Sequence, residues 1–365
     1  MVQLGTAVTV LVPAHDEAQA LPAAIASLRA QTLPPDRLLV IADNCTDATA
    51  TVAARLGAEV VTTVGNTARK AGALNQVLDV VLPTLPAGDL VLVMDADSAI
   101  APDFLAAAVR TLRERPAAGA VGGVFEGRPG GGLVGALQRN EYARYGREVA
   151  RRNGRAVVLT GTATLFRAEV LREVAAARGA RLPGRPGTVY DLAALTEDNE
   201  ITLAIKTLGY GAASPRECRV ITELMPTWRA LWHQRLRWQR GALENLRAYG
   251  LTPVTLPYIG KQVAMYLGIA AVALFVLATL LFATHGELGV PRGFWLAITA
   301  VFVLERVITV RRSGWRAMAL AAPVVVEFAY DLFQQAVFLR AASDALAGRS
   351  EHWHHHPAAL LTGPG

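Results

Sequence analysis

Two carboxylates one residue apart, in Asp95-Ala96-Asp97, follow directly on the apolar run Leu90 to Met94. At the end of an extended strand alternate side chains point to one side, so both acids can face one ligand. Paired carboxylates of this kind bind a hard divalent cation whose remaining ligands are phosphate oxygens. They also cap a following helix, and the spacing alone does not separate the two roles. Asp43 ends an earlier apolar run and can accept hydrogen bonds from a ribose or base, or serve the turn Asp43-Asn44-Cys45-Thr46-Asp47. Thr196-Glu197-Asp198 opens a predicted helix with the apolar face Ile201, Ala204, Ile205 and Leu208. Acids there complement the helix macrodipole. A carboxylate at Asp198 would equally serve as general base, because a sugar hydroxyl is a poor nucleophile until its proton is accepted. Gln234, Arg237, Trp238 and Gly241 fall at i, i+3, i+4 and i+7 of a helix predicted over 227–246, and so share a face. An arginine and a tryptophan there suit a diphosphate and a sugar ring. The same helix, with Trp228, Arg229, Trp232, Arg235 and Arg240, also suits an interfacial position with snorkelling side chains.

These residues need a scaffold that converges them. The first hundred residues alternate short apolar runs with amphipathic segments. Strands are predicted over 8–12, 38–42, 59–63 and 90–94, with helices over 17–30, 46–55 and 70–82 between them. That alternation implies a mostly parallel sheet with helices on both faces. Ligands of such sheets bind beyond the carboxyl ends of the strands, where His15 to Glu17, Asp43, the Lys70 region and the paired acids all lie. Further along, glycine- and proline-rich stretches over 127–132 and 179–187 read as surface loops. The segment 179–192, just ahead of Thr196, reads either as a lid or as a solvated loop.

The 365 residues exceed one ordinary domain, and charge is unevenly spread along them. Four regions are expected: a cytosolic catalytic domain over 1–225, an interfacial helix region over 226–256, a membrane domain over 257–346, and a tail over 347–365. Residues 263–283 carry no charge, long enough as a helix to cross a hydrocarbon core of roughly 30 Å. A second apolar segment starts at Phe294 and meets Glu305 and Arg306, and a third, from Ala317, carries Glu327 and Asp331. Charges inside a span are costly, so these are expected to face protein or water, or the helix to lie in the interface. No signal peptide precedes the first strand, and Arg311, Arg312 and Arg316 fit a cytosolic connection. The expected location is the cell membrane, multi-pass, with the catalytic part cytosolic. The net charge of +6 points to anionic lipid, and no aromatic-basic module points to nucleic acid. Cys45 and Cys218 show neither metal nor disulfide spacing, and the histidines at 352–356 read as a tail or a metal site.

Taken in order, Pro13-Ala14-His15-Asp16-Glu17, Arg69-Lys70-Ala71-Gly72-Ala73-Leu74-Asn75, Asp95-Ala96-Asp97, Thr196-Glu197-Asp198 and Gln234-x-x-Arg237-Trp238 resemble the family 2 inverting glycosyltransferases. The likeness is to the membrane-integrated branch with the cellulose, hyaluronan and poly-N-acetylglucosamine synthases. Thr160-Gly161-Thr162-Ala163-Thr164-Leu165-Phe166-Arg167 resembles that branch's acceptor-side motif. The resemblance covers about residues 5–250 and implies a GT-A-like α/β domain that binds a UDP-sugar with Mg²⁺ or Mn²⁺. It implies that Ala14, Glu17 and Asp43 contact the uridine and Lys70 the diphosphate. Asp95 would meet the nucleotide sugar and Asp97 the metal, with Asp95 beside it. Asp198, flanked by Glu197, would deprotonate the acceptor. Gln234, Arg237 and Trp238 would grip the diphosphate and acceptor sugar, and Gly161 and Thr162 would line the acceptor side. An α-linked donor would then give a β-linked product.

The branch's synthases also carry membrane helices ahead of the catalytic domain, whereas this sequence opens on its first strand. With about three hydrophobic C-terminal segments, polymer secretion would need a homo-oligomer or a partner subunit. Synthesis of a β-linked polysaccharide therefore stands beside transfer of one or a few sugars to a lipid-linked or other membrane-proximal acceptor. A non-catalytic nucleotide-sugar-binding subunit is the reading from another class, and the presence of Asp95, Asp97, Asp198 and Trp238 speaks against it.

Overall fold

The computed structural model describes residues 6–285 and 294–348, so the histidine-rich tail lies outside the described residues. A seven-stranded sheet forms the centre, in the order β3-β2-β1-β4-β8-β6-β9. Its strands are β1 (Val8–Ala14), β2 (Arg37–Ala42), β3 (Glu59–Thr62), β4 (Leu90–Met94), β6 (Ala118–Gly122), β8 (Ala163–Arg167) and β9 (Gly211–Ala213). The pairs β3/β2, β2/β1, β1/β4 and β6/β9 are parallel, and β8 runs antiparallel to both of its neighbours. A small second sheet, β5 (Ala99–Ile100), β10 (Arg219–Thr222) and β7 (Val124–Gly127), lies outside what the hydrophobic pattern predicts. Strands of two to four residues give too short a pattern to read.

Both faces of the central sheet are covered, which is why its strands read as unbroken apolar runs. Along β4, Leu90, Leu92 and Met94 pack into one core with helices α1 (Leu21–Arg29) and α4 (Phe104–Glu114). Val91 and Val93 face the other core, built with α3 (Arg69–Val81), α6 (Ala168–Ala177) and α7 (Glu197–Thr207). The first helix starts four residues later than expected. Asp16 takes a left-handed φ of 55° and Pro22 sits in the first turn, so Glu17 stays in the loop with its N–H on Thr49 Oγ1. Likewise α2 (Thr49–Arg55) begins where the Asp47 carboxylate accepts from the Thr49 N–H at 2.8 Å.

The segment after α6 is solvated over 179–181 and 185–187 and is fastened to the core elsewhere. Asn75 of α3 accepts from the N–H groups of Val189 and Tyr190 and donates to the Tyr190 carbonyl. Arg178, whose side chain is fully buried, donates to the carbonyls of Pro183 and Val189 and forms a two-pronged pair with Glu200. Tyr249 donates to the same Glu200. The loop is thus fastened under α3 and α7.

Beyond the sheets, α5 (Gly132–Arg151) and α8 (Trp228–Tyr249) meet α9 (Leu256–Thr284), α10 (Phe294–Val310), α11 (Trp315–Ala321) and α12 (Val324–Leu346). Among the described residues α9 is the one continuous helix long and apolar enough to cross a membrane; α11 and α12 would add a second if that pair, bent by 74°, were one span. Along α9 Leu267, Leu274 and Phe275 point outward. Of the charged residues in the later apolar segments, Glu327, Arg306 and Asp331 face protein, whereas Glu305 is exposed: Glu327 pairs with Arg144 of α5 at 2.6 Å, and Arg306 bridges Glu327 and Asp331.

The Arg178–Glu200 pair generates a stability prediction. Arg178→Met leaves a buried carboxylate without its counter-charge, which costs about 3–5 kcal/mol. Thermal unfolding in detergent should show a transition lowered by several degrees, with part of the loss restored in Arg178→Met/Glu200→Leu.

Candidate active site

The carboxyl ends of β1, β2 and β4 form the floor of the site, as parallel sheets of this type arrange it. At the β2 end, Asp43 is buried, and its Oδ1 accepts from Thr63 Oγ1 at 2.7 Å and Asn66 Nδ2 at 2.8 Å. Ala14, at the end of β1, accepts the Asp43 N–H at 2.8 Å. Asn66 also donates to the Arg69 carbonyl, tying Asp43 to the start of α3. A Cβ on Gly72 would stand 2.0 Å from Asn66 Oδ1, so the glycine of that motif is needed for the Asn66 side chain to fit. Arg69 itself takes a left-handed φ of 56°, as do Asp16 at 55° and Asn44 at 49°. Such strain in non-glycine residues gathers where a binding site over-determines the backbone.

Lys70 extends from the first turn of α3 into the centre of the site. Its Nζ lies 2.6 Å from Asp95 Oδ1 and 3.0 Å from Glu197 Oε1, and it donates to the Gly161 carbonyl at 3.2 Å. The Gly161 N–H in turn donates to Asp198 Oδ2 at 3.2 Å. A Cβ at position 161 would fall 3.3 Å from that oxygen and 3.5 Å from the lysine, so a side chain there would crowd both. Thr162 contributes its carbonyl to the Asp95 N–H at 3.0 Å, which fixes the first acid of the pair against β8. Lys70, Asp95, Gly161, Glu197 and Asp198 are therefore one contiguous cluster.

The charges set each group's proton affinity. Burial alone would lower Lys70, but Asp95 and Glu197 outweigh it and hold the ammonium well above its usual range. Burial raises Glu197, yet Lys70 and Arg237 together bring it below the usual carboxylate range. Asp198 is pushed up to about 6 by burial and by the Glu197 charge. Burial and Glu223 raise Asp97. Glu17 reaches about 8, from burial and then the charges of Asp97, Glu223 and Asp95. Its Oε2 is buried without a hydrogen-bond partner.

A match to the family model described as glycosyltransferase like family 2 runs over residues 6–241. The chain belongs to this family. It is accordingly a glycosyltransferase. No curated protein matches it significantly. Among solved structures it is similar to mannosyltransferase PcManGT from Pyrobaculum calidifontis, in complex with GDP-Man and Mn²⁺. That likeness has 21% identity and a TM-score of 0.62, over 95% of this chain and 89% of the other. Glucosyl-3-phosphoglycerate synthase from Mycobacterium tuberculosis is also similar, at 21% identity and a TM-score of 0.44, over 68% of this chain and 81% of that one. The first likeness shows a GT-A-like fold.

Within this glycosyltransferase the motif helix α8 lies against the start of α7. Arg237 is close enough to Glu197 and Asp198 to lower both by its charge. Gln234 and Trp238 are held by Arg235, which donates to Gln234 Oε1 at 2.6 Å and lies 4.2 Å over the Trp238 ring. Sequence reasoning missed Glu223 and Arg128, which pair at 3.0 Å beside Asp97, where Arg128 also donates to the Asp97 carbonyl. An acid directly after β10 was the available signal for Glu223, but β10 itself was not legible. The donor chemistry around Asp97, hard carboxylate oxygens with an orphaned Glu17 oxygen nearby, fits a divalent cation held jointly with phosphate.

Among the described residues, the one set of three metal-ligating side chains whose donor atoms lie within 4.8 Å of one another is Asp16, Cys45 and Asp47. It is built for the turn instead. Asp16 accepts from Thr46 and Asp47, and Asp47 from Ala18 and Thr49, while burial raises the Cys45 thiol.

Close approach of α8 to Thr196 yields a prediction. A Cβ on Gly241 would stand 2.4 Å from Thr196 Oγ1, whereas one on Gly260 of α9 would meet open space. Gly241→Ala should destabilise by about 1–3 kcal/mol and depress turnover by shifting α8 off the Thr196-Glu197-Asp198 turn. Gly260→Ala should be neutral or slightly stabilising in the same melting and turnover assays.

Proposed function

We propose that this glycosyltransferase moves a sugar from a nucleoside-diphosphate sugar, with a divalent cation, to an acceptor hydroxyl at the cytosolic face of a membrane. The observation that carries the reading is the Lys70-centred cluster, which sets a carboxylate with a proton affinity near 6 beside two cationic groups. The uridine implied by the sequence resemblance makes UDP-sugars the first donors to try. GDP-mannose, bound by the similar Pyrobaculum structure, is the second. Asp43 would meet the nucleoside, Ala14 and Glu17 the neighbouring part of the donor, and Asp95 its sugar. Asp97 would hold the Mn²⁺ or Mg²⁺ on the diphosphate. A bound cation of this kind offsets the charge that develops on the departing nucleotide.

The residues supply the rest of the chemistry. Asp198, ionised above pH 6, accepts the proton of the acceptor hydroxyl as its oxygen attacks the anomeric carbon. The bond from that carbon to the β-phosphate oxygen breaks, and the electron pair leaves with the nucleotide. Lys70 and Arg237, both near Glu197, place positive charge at the site. Gln234 and Trp238 would position the acceptor sugar beside Gly161 and Thr162. Attack from the face opposite the leaving group inverts the anomeric centre.

Two acceptor readings remain in play, a growing β-linked polysaccharide and a lipid-linked or other membrane-proximal acceptor. The outward apolar face of α9 supports membrane insertion.

Purified protein in detergent, supplied with Mn²⁺ and a panel of UDP-sugars and GDP-mannose, should release nucleotide with one donor. A high-mass product would establish polysaccharide synthesis, and short products that require added lipid would establish limited transfer. Asp198→Asn should lower turnover by at least about a hundredfold while nucleotide binding persists; undiminished turnover would sink the base assignment. Because the base must be deprotonated, kcat/KM should fall as pH drops through about 6. Asp97→Asn should lose the response to added Mn²⁺ in the same assay.

A further inference from the structure

Arg235 stands inside the motif Gln234-x-x-Arg237-Trp238 at one of its open positions, yet it is only 3% exposed, while Gln234, Arg237 and Trp238 are all half-buried. Its guanidinium makes two contacts with motif residues, a 2.6 Å hydrogen bond to Gln234 and a 4.2 Å approach over the Trp238 ring. On its other side it pairs with Glu141 Oε2 of α5 at 3.0 Å. That same oxygen accepts from Tyr330 Oη at 2.6 Å and from Gln334 Nε2 at 3.2 Å, both on α12. Residues from α8, α5 and α12 thus converge on one carboxylate oxygen, and Tyr330 and Gln334 lie well beyond the family match at 6–241.

A guanidinium is planar, and its donors are fixed in that plane. It can hold Glu141, Gln234 and the tryptophan face together in one orientation only. We infer that Glu141 and Tyr330 are positioning residues for the acceptor-side motif: they fix the Arg235 plane, and through it the ring of Trp238 and the amide of Gln234. The C-terminal helix α12 is thereby part of the catalytic apparatus and not merely an anchor. This rests on the proposed role of Trp238 in sugar transfer. Removing the Tyr330 hydroxyl leaves Glu141 one donor short and frees Arg235 to rotate toward the vacated side. Trp238 then loses its registered stacking face, and a small misplacement of a positioning group costs rate out of proportion to the energy of the lost bond.

The test is a double-mutant cycle between Tyr330→Phe and Trp238→Phe, read by nucleotide release with the donor that the wild-type protein turns over. Tyr330→Phe should lower kcat/KM for the acceptor by about tenfold, with the Kd for free nucleotide unchanged within about twofold. In the Trp238→Phe background the same change should cost less than about twofold, because residues acting through one another are not additive. An equal loss in both backgrounds, or no loss at all, overturns the inference, since a purely structural tyrosine would weaken both proteins alike. A second readout is independent of turnover. The Trp238 emission, obtained in each background by subtracting the spectrum of the same protein carrying Trp238→Phe so that Trp228 beside Tyr330 cancels, should shift in Tyr330→Phe and in Glu141→Gln, and an unchanged difference spectrum counts against the inference. If Trp238→Phe leaves transfer intact while the emission still shifts, the role of Trp238 has failed and the positioning contact has not.

Discussion

One ammonium group organises the catalytic half of this molecule. Lys70 Nζ reaches Asp95 from the end of β4, Glu197 from the start of α7 and the Gly161 carbonyl beside β8. Without that charge, the acids gathered at the sheet end would repel one another in a setting where burial already disfavours their ionised forms. The lysine resolves the conflict unevenly. Glu197 stays ionised, whereas Asp198, one residue further on and bonded to Gly161 instead, is held near 6. Adjacent carboxylates with divergent proton affinities are how a site acquires both a fixed charge and a usable base.

Much of this was legible in the sequence, for reasons that differ between elements. Strands β1, β2, β3 and β4 were readable because both faces of a buried parallel sheet are apolar, and the helices between them because their periodicity is long. The acids at 95, 97, 197 and 198 stand at ends of such elements, where a ligand site and a helix start both favour acids. Helix starts were less accurate: Glu17 stays in a loop because of the left-handed Asp16 and of Pro22, a local conformation that no hydrophobic pattern encodes. The second sheet was missed because its strands are too short, and with it went Glu223, whose partner Arg128 lies in a stretch that reads as a plain surface loop.

The segment after α6 shows a different limit. Glycines and prolines mark it as irregular, and so it is, but irregular chain is not always loose chain. Asn75, on α3, and Arg178, the first residue after α6, satisfy its backbone from within the core. Charged residues in the C-terminal apolar helices were more informative. The cost of burying Glu327 and Asp331 required partners, and Arg144 and Arg306 supply them across the join between α5 and the later helices.

The turn between α8 and α9 is compact. Gly250 closes α8 with a φ of 65°, and Thr255 Oγ1 donates back to the Gly250 carbonyl at 2.6 Å, so the apolar helix leaves the motif helix with no slack between them. On the membrane reading, the enzyme then has no tether on which to swing. Its catalytic face would ride at a fixed height above the bilayer, and its search for acceptors would be a two-dimensional one. Encounter rates would follow the surface density of acceptors and not their bulk concentration, so diluting the acceptor within the lipid should slow the enzyme even when the total amount of acceptor is held constant.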